Sequence, residues 1–267
     1  MQGCRLFRHL QDLQEIYRSH IKYATKSFLQ NANIPVPKLY KFATKKSDIT
    51  LDFFASLPET FVLKPNIGSG GKDIHILEKA GEVFVEPDGS VLDLPALQHA
   101  TRYLRDDTYP DLERRIGVLA EERIYPHPSF KTFTHFNTII DFRIYFVNGN
   151  IIFAKMRIPT LKSGGYGNYT RGAHSMVVSP DGIIIKSADW NVDVPVHPDT
   201  QQSFEGFKVP MWDELLKDAS KVPPLFKSPV VCVDGTFSKD NVFVVLEITL
   251  QPEMNKFSGW DYFLSLP

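Results

Sequence analysis

The chain has 267 residues, of which 43% are apolar and 23% charged, a composition that supports a folded core and excludes a wholly disordered protein. Its formal net charge is −1 at pH 7, so it lacks the overall positive charge of proteins that bind nucleic acid or anionic membranes through a basic surface. No stretch reaches the ~18–20 apolar residues that a membrane-spanning helix requires.

The cysteines and the N-terminus bear on the cellular compartment. Cys4 and Cys232 have no paired spacing, and a chain of this size does not depend on disulfide bonds. The N-terminus lacks the charged and then apolar pattern of a signal peptide. These features predict a cytoplasmic protein that binds neither membranes nor nucleic acid, and nothing in the sequence predicts an oligomeric state.

The first part of the chain predicts a helix followed by short strands. Apolar residues in LQDLQEIYRSHIKYATKSFLQNANI recur every three or four positions, and Pro35 is the first proline. Pro35 and Pro37 then favour an extended backbone. Strands are predicted at FVLKP, DIHILEK, VFVEP and SVLDL, the last two on either side of a turn at Asp88 and Gly89.

The rest of the chain predicts hairpins and few helices. Helices are predicted at PALQHATRYL and MWDELLKDASK, and strands or hairpins at RIGVLAEERI, DFRIYFVNGNIIFAKMRI, HSMVVSPDGIIIKSA and PVVCVDGTFSKDNVFVVLEITL. The aromatic and proline-rich stretch at residues 126–137 fits either a lid facing a substrate or a surface loop. The pattern is typical of an α+β protein with mostly antiparallel strands, in two lobes joined near residues 117–122.

The stretch FVLKPNIGSGGKDIHIL places glycines and a lysine between two predicted strands. A P-loop would need glycine at position 66 and Ser or Thr at position 73, where the chain has Asn66 and Asp73, and it would lead into a helix. A dinucleotide-binding fingerprint also lacks its last glycine and its helix. The loop therefore predicts either an ordinary hairpin turn or a mobile flap whose backbone N–H groups approach an anion, with Lys64 at the end of the strand.

Asp234 and Glu247 occupy neighbouring strands of the last predicted hairpin. Two carboxylates placed in this way can hold a divalent cation against substrate phosphates, whereas solvated surface charges are the alternative. Glu247 argues against that alternative, because it lies within the apolar run VFVVLEITL, where burying a carboxylate without a partner is costly.

These motifs follow one another in the order of the ATP-grasp superfamily, and the chain looks similar to its RimK-type, α-L-glutamate ligase-like members. The resemblance rests on FVLKPNIGSGGKDI, VLAEERI, DFRIYF, AKMRIPT, GNYTRGAHS and the segment from Asp234 to Glu247. It implies an α+β ATP-grasp fold, in which two lobes at about residues 36–118 and 119–258 grip a nucleotide. The implied ATP-grasp domain is residues 22–258, with a helical extension at 1–21, a tail at 259–267, and the usual preceding domain reduced or missing.

The resemblance implies an ATP-dependent carboxylate–amine ligase. Such an enzyme phosphorylates the carboxylate of a small molecule or peptide, and an amine attacks the acyl-phosphate to form an amide or peptide bond, with Mg²⁺ or Mn²⁺ as cofactor. Two alternatives remain open: an ATP-grasp phosphotransferase that acts on a small molecule, and a nucleotide-binding module without turnover.

The resemblance also implies a role for individual residues. The implied ATP-binding residues are Lys22, Lys64, Ser69, Gly70, Gly71, Glu121, Glu122, Arg123, Ile124, Asp141 and Arg143. The implied catalytic residues are Arg157, Asn168 and Arg171, and the implied metal ligands are Asp234, Glu247 and Thr249. Thr249 stands where the family has asparagine and offers a hydroxyl oxygen, so we expect one well-held magnesium ion and a second held only through the nucleotide.

Overall fold

The computed structural model describes Glu15 and residues 19–68, 70–102, 104, 116–187 and 194–252. The expectations for Ser69, for most of the N-terminal extension and for the C-terminal tail lie outside the described residues. None of the helices in the described part of the chain is long and apolar enough to cross a membrane.

The predicted N-terminal helix is confirmed as α1, Lys22–Asn31. It is amphipathic and buries Leu29 in the core beneath the second sheet. The residue that precedes the helix supplies no side-chain cap. Asn66, from the loop after β2 (Thr60–Pro65), caps the helix instead. Tyr23 N donates to Asn66 Oδ1 at 2.8 Å, and Lys22 N donates to Asn66 O at 3.0 Å. Asn66 thereby satisfies two backbone donors that a helix start leaves open.

The first lobe is a six-stranded sheet in the order β1-β6-β2-β3-β4-β5, with every neighbouring pair antiparallel. Its strands are β1 Leu39–Ala43, β2 Thr60–Pro65, β3 His75–Ala80, β4 Val83–Val85, β5 Val91–Leu92 and β6 Val118–Glu122. Two helices cover it, α2 Leu51–Ala55 and the predicted α3 Leu94–Ala100. Phe54, Phe61 and Leu97 belong to the core between sheet and helices.

The position of β6 sets where the chain leaves the first lobe, in the region of residues 117–122 where the two lobes were expected to join. Strand β6 pairs with both β1 and β2, and its pairing with β2 continues to Glu122. The chain therefore leaves the first sheet only after Glu122, because that strand lies inside the sheet rather than beside it.

The second lobe is a six-stranded antiparallel sheet in the order β10-β9-β8-β7-β11-β12. Its strands are β7 Asp141–Val147, β8 Asn150–Ile158, β9 His174–Val178, β10 Ile184–Ser187, β11 Val230–Phe237 and β12 Phe243–Thr249, and α4 is Trp212–Ala219. The predicted turn at Asn148 and Gly149 is confirmed, with both residues at positive φ (48° and 80°), as a tight hairpin between twisted strands requires.

Apolar and charged residues alternate along the strands of the second sheet, so that its two faces differ. Ile144, Met156 and Val233 point into the main core, which α1 and α4 cover. Phe130 and Phe133 join the same core at 1% and 0% exposure. The aromatic stretch at 126–137 is therefore anchored in the second lobe through these two side chains. The opposite face of the sheet carries the charged residues of the candidate site.

Candidate active site

A cavity of about 820 Å³ lies between the two sheets, within the ~300–1,000 Å³ range of small-molecule and cofactor sites. Every predicted site residue lines it except Ser69, which is not described, and Arg171, whose side chain lies elsewhere. The predicted residues on its walls are Lys22, Lys64, Gly70, Gly71, Glu121, Glu122, Arg123, Ile124, Asp141, Arg143, Arg157, Asn168, Asp234, Glu247 and Thr249.

Lys64 and Glu121 line one wall of the cavity and form a buried charge cluster with Lys26. Lys64 Nζ lies 2.5 Å from Glu121 Oε1. Lys26 Nζ lies 2.9 Å from Glu121 Oε2 as an ion pair. Burial acts to raise the pKa of Glu121, but the charges of Lys64 and Lys26 outweigh it, so that its pKa lies below the usual value. With two lysines for one carboxylate, the cluster carries a net positive charge at the cavity wall.

Lys22 connects the helix to the glycine loop, which we define as residues 66–74 between β2 and β3. Lys22 Nζ donates to Gly68 O at 2.9 Å and lies 3.3 Å from Glu247 Oε1. One lysine thus contacts both the glycine loop and a predicted metal ligand. The carboxylate of Glu247, a third exposed, has the partner that its position in an apolar strand requires.

A row of charged side chains crosses the second sheet beneath the cavity. Strand register sets Glu247 opposite Asp234, Asp234 opposite Arg143, and Arg143 opposite Lys155. Arg143 donates to both oxygens of Asp234, at 2.7 Å from Nε and 2.6 Å from Nη2. Arg157 Nη2 also donates to Asp234 Oδ2 at 2.9 Å.

Asp141 completes this network by accepting both Nε and Nη2 of Arg157, at 2.5 and 2.6 Å. The two acids differ in electrostatics. Burial acts to raise the pKa of Asp234, but Arg143 and Arg157 outweigh it and lower the pKa to about 2. Burial raises the pKa of Asp141 above its usual value, since Arg157 offsets only part of the desolvation. Asp234 is therefore firmly ionised in this arrangement.

The donor set suits magnesium with the help of a nucleotide. Mg²⁺ is commonly held by one or two carboxylates together with substrate phosphates, and Asp234 and Glu247 lie directly opposite each other on the cavity wall. Among the described residues no group of three or more His, Cys, Asp and Glu side chains is suited to a metal ion, so phosphate oxygens would complete the coordination. Both oxygens of Asp234 accept from arginines here, which leaves Glu247 as the more accessible ligand.

The segment between β8 and β9 brings Asn168 against the glycine loop. A Cβ atom at Gly71 would collide with the Asn168 side chain, and Gly71 has a φ of +71°. Arg171 does not point into the cavity. Its guanidinium lies 3.6 Å from the centre of the Tyr166 ring, and its Nη1 donates to Ile74 O at 3.3 Å.

Sequence reasoning did not single out three residues that shape this site. Lys26 follows Lys22 by four positions, the spacing of one helix face, and that spacing was the available signal. Lys155 alternates with Arg157 in AKMRI and so shares its face of the strand. Tyr166 lies in a glycine-rich stretch whose sequence carries no such signal.

Comparisons with known proteins agree with this architecture. Residues 5–258 match the family described as sugar-transfer associated ATP-grasp. No curated protein is significantly similar to the chain. Among solved structures, D-cycloserine synthetase DcsG has a TM-score of 0.51 at 14% identity, over 98% of this chain and 76% of its own.

Two further structures give the same picture. N5-carboxyaminoimidazole ribonucleotide synthetase, solved as an ADP complex, has a TM-score of 0.52 at 11% identity, over 94% of this chain and 51% of its own. The L-amino acid ligase from Bacillus licheniformis has a TM-score of 0.50 at 13% identity, over 92% of this chain and 43% of its own. This chain thus spans about half the length of these two proteins, and at such identities the likeness shows the fold alone.

The predicted ATP-grasp fold is confirmed on two grounds. The family match extends over most of the sequence, and the two antiparallel sheets enclose a cavity whose walls carry the predicted residues. The chain belongs to the sugar-transfer associated ATP-grasp family.

Proposed function

We propose that the protein is an ATP-dependent carboxylate–amine ligase that works through an acyl-phosphate, with a small-molecule or peptide carboxylate and an amine as substrates. The observation that carries this proposal is the charge arrangement of the cavity. Lys22 and Lys64 line one wall, and Arg143 and Arg157 line the other beside the facing carboxylates of Asp234 and Glu247. An L-amino acid ligase and a D-cycloserine synthetase are among the proteins of similar fold, which agrees with this class.

The first lobe supplies the groups for a nucleotide. Lys64 and Lys22 provide positive charge for the phosphates, and the glycines at 70 and 71 let backbone N–H groups approach them closely. The backbone at 122–124 leaves the sheet at the cavity wall, where it can pair with the edge of the adenine ring.

The second lobe supplies the groups for the transfer step. A carboxylate oxygen of the substrate attacks the γ-phosphorus, the bond to the β-phosphate oxygen breaks, and ADP leaves. The amine nitrogen then attacks the acyl carbon, phosphate leaves, and the nitrogen loses a proton to solvent. Negative charge develops on oxygen in both steps, and the fixed guanidinium groups of Arg143 and Arg157 are placed to stabilise it.

A bound magnesium ion would neutralise phosphate charge in this site. Glu247 and Asp234 would hold it, and Thr249, which also lines the cavity, would add at most a hydroxyl oxygen. Because Asp234 is bonded to two arginines in this structure, the ion must compete with them for its oxygens. The same competition supports the second candidate function, a nucleotide-binding module without turnover.

The substrate test is ADP release measured with MgATP against a panel of carboxylates and amines. The family description associates the protein with sugar transfer, so uronic acids and amino sugars belong in the panel beside amino acids. Hydroxylamine should trap the acyl-phosphate as a hydroxamate, and mass spectrometry should identify an amide product. A phosphorylated hydroxyl product would establish a kinase instead, and ATP binding without turnover across the panel would favour the non-catalytic module.

The binding test is calorimetry with MgATP on the parent and on Lys64→Met. We expect the variant to lose most of the affinity, because Lys64 is a buried cation on the cavity wall. Lys41→Met is the matched control, since Lys41 lies in the same sheet, outside the cavity, and donates to Phe53 O. Equal affinity for all three proteins would refute the proposed nucleotide site.

A further inference from the structure

The segment between β8 and β9 reaches across the cavity to the first lobe. We call residues 160–172 the bridging segment. Residues 165–170 of it line the cavity, and Thr170 Oγ1 donates to Gly70 O at 2.8 Å. The bridging segment and the glycine loop therefore form one continuous wall, although they belong to different lobes.

Tyr166 makes the most buried contact between this segment and the first lobe. Its side chain lies in the wall at 4% exposure for the residue, and its hydroxyl donates to Glu86 Oε1 at 2.6 Å. His75 Nδ1 lies 3.0 Å from the same oxygen. Burial and then the charge of Glu86 raise the pKa of Tyr166, while the hydrogen bonds from His75 and Tyr166 outweigh burial and lower that of Glu86. The bond therefore joins a protonated phenol to an ionised carboxylate, which is a strong type of hydrogen bond.

The same hydroxyl fills a gap in the first sheet. Ile76 pairs with Val62 of β2 on one side, but on the other side β4 begins to pair with β3 only at Glu78. Ile76 N donates to Tyr166 Oη at 3.0 Å instead. A side chain from the second lobe thus satisfies a backbone donor at the open edge of the first sheet.

The Tyr166 ring also holds Arg171. The guanidinium lies over the ring, 3.6 Å from its centre, and donates to Ile74 O. Tyr166 and Arg171 therefore fasten the bridging segment on both sides of Asn168, the residue whose side chain lies against Gly71.

We propose that Tyr166 is a positioning residue of this site: its bond to Glu86 holds the bridging segment against the first lobe and so places Asn168 at the nucleotide. The role at the nucleotide rests on the proposed function, because Asn168 is expected at the transferring phosphate. The contact between Tyr166 and Glu86, which we call the latch, rests on the structure alone. The latch and the placement of Asn168 can therefore be tested separately.

Hydrogen exchange tests the latch without any ligand. The substitution Tyr166→Phe removes the hydroxyl that accepts from the Ile76 amide. It also removes the hydrogen bond that joins the bridging segment to Glu86. We expect exchange at Ile76 to rise by about 10- to 100-fold, the range for a hydrogen bond to a charged group. Tyr125→Phe is the matched control, since it removes a hydroxyl bonded to Thr60 Oγ1, and neither residue belongs to the bridging segment or the glycine loop. Glu86→Gln should raise hydrogen exchange at Ile76 by a smaller factor. It serves as the test if Tyr166→Phe does not fold.

Calorimetry tests positioning, with MgATP compared against MgADP. Tyr166→Leu removes both the hydroxyl and the ring under Arg171. We expect its MgATP affinity to fall by about tenfold while MgADP affinity is unchanged, because only ATP carries the transferring phosphate. Tyr166→Phe keeps the ring and should recover part of the loss. A purely structural role would weaken both nucleotides equally.

The outcomes separate the two claims. Unchanged exchange at Ile76 in both Tyr166→Phe and Glu86→Gln would overturn the latch. Equal losses for MgATP and MgADP, or no loss for either, would overturn the positioning role. If the parent binds neither nucleotide, the proposed function fails, and with it the positioning role, whereas the exchange result still decides the latch.

Discussion

The substitution Glu121→Gln would leave the buried charge cluster without its counter-charge. Glu121 is 3% exposed, and Lys26 and Lys64 are 6% exposed each. Glutamine preserves the shape and removes only the charge. Breaking a buried ion pair by removing one partner costs about 3–5 kcal/mol. We expect a value near the lower end, about 3 kcal/mol, because Lys26 keeps its bond to Pro37 O and Lys64 keeps its contact with the cavity.

Urea unfolding at several pH values measures this cost and its origin. Burial lowers the pKa of Lys26, and Glu121 opposes that effect in the parent. Without Glu121 the folded-state pKa of Lys26 falls further, so in a pH range that ends near the unfolded-state pKa of lysine, about 10, the unfolded state binds more protons than the folded state. Stability rises with pH wherever that holds. The variant should therefore recover stability on going to high pH, more steeply than the parent does.

A second substitution separates charge from packing. Glu121→Gln combined with Lys26→Met removes one of the two unpaired cations and should restore much of the lost stability. The reasoning is refuted if Glu121→Gln alone costs less than about 1 kcal/mol, or if its stability does not change with pH. Either result would mean that solvent reaches the lysines despite their burial.

Three further predictions concern the metal, the glycine loop and the latch. Glu247→Gln should abolish turnover even at saturating magnesium, whereas Thr249→Asn should lower the magnesium concentration that half-maximal turnover requires; a Glu247→Gln variant as active as the parent would remove Glu247 from the metal site. Gly71→Ala should destabilise the folded state by about 1 kcal/mol or more, because of the positive φ and the nearby Asn168 side chain. Calorimetry should show weaker MgATP binding, and the unfolding midpoint should fall by a few degrees. The pKa of Glu86 is lowered in the folded state, so its contribution to the free energy of unfolding should be present at neutral pH and lost as the pH falls below about 4. An acid titration followed by fluorescence should show this step in the parent and not in Glu86→Gln. An identical step in both proteins would contradict the assignment.

Local patterns predicted most of the elements but not how the lobes meet. Alternation and turn residues such as Asn148-Gly149 determine hairpins through neighbouring residues, so the strand assignments were confirmed. The pairing of β6 between β1 and β2 joins residues 53 or more positions apart, and local pattern does not contain that information. The residue at which the first lobe ends therefore depends on the assembled sheet.

In the candidate site, too, local pattern predicted which residues share a face but not which charges pair. Asp234 and Glu247 were expected to converge, and strand register sets them opposite each other. Their actual partners come from other elements: Arg143 and Arg157 reach Asp234 from β7 and β8, and Lys22 reaches Glu247 from α1. Alternation places such residues on a face, but only the assembled sheet decides which charges neutralise each other.

The chain passes between the lobes twice in the described residues, and the two crossings are bonded side by side. The first crossing links α1 to β1, and the second leaves β6 for the second sheet. Glu122 N donates to Lys38 O at 2.9 Å, and Lys38 N donates to Glu122 Oε2 at 3.0 Å. Two adjacent attachments resist twisting and sideways sliding far more than bending about the line that joins them. The opening motion that would disturb these two bonds least is a rotation about an axis through Lys38 and Glu122, in which displacement grows with distance from that axis.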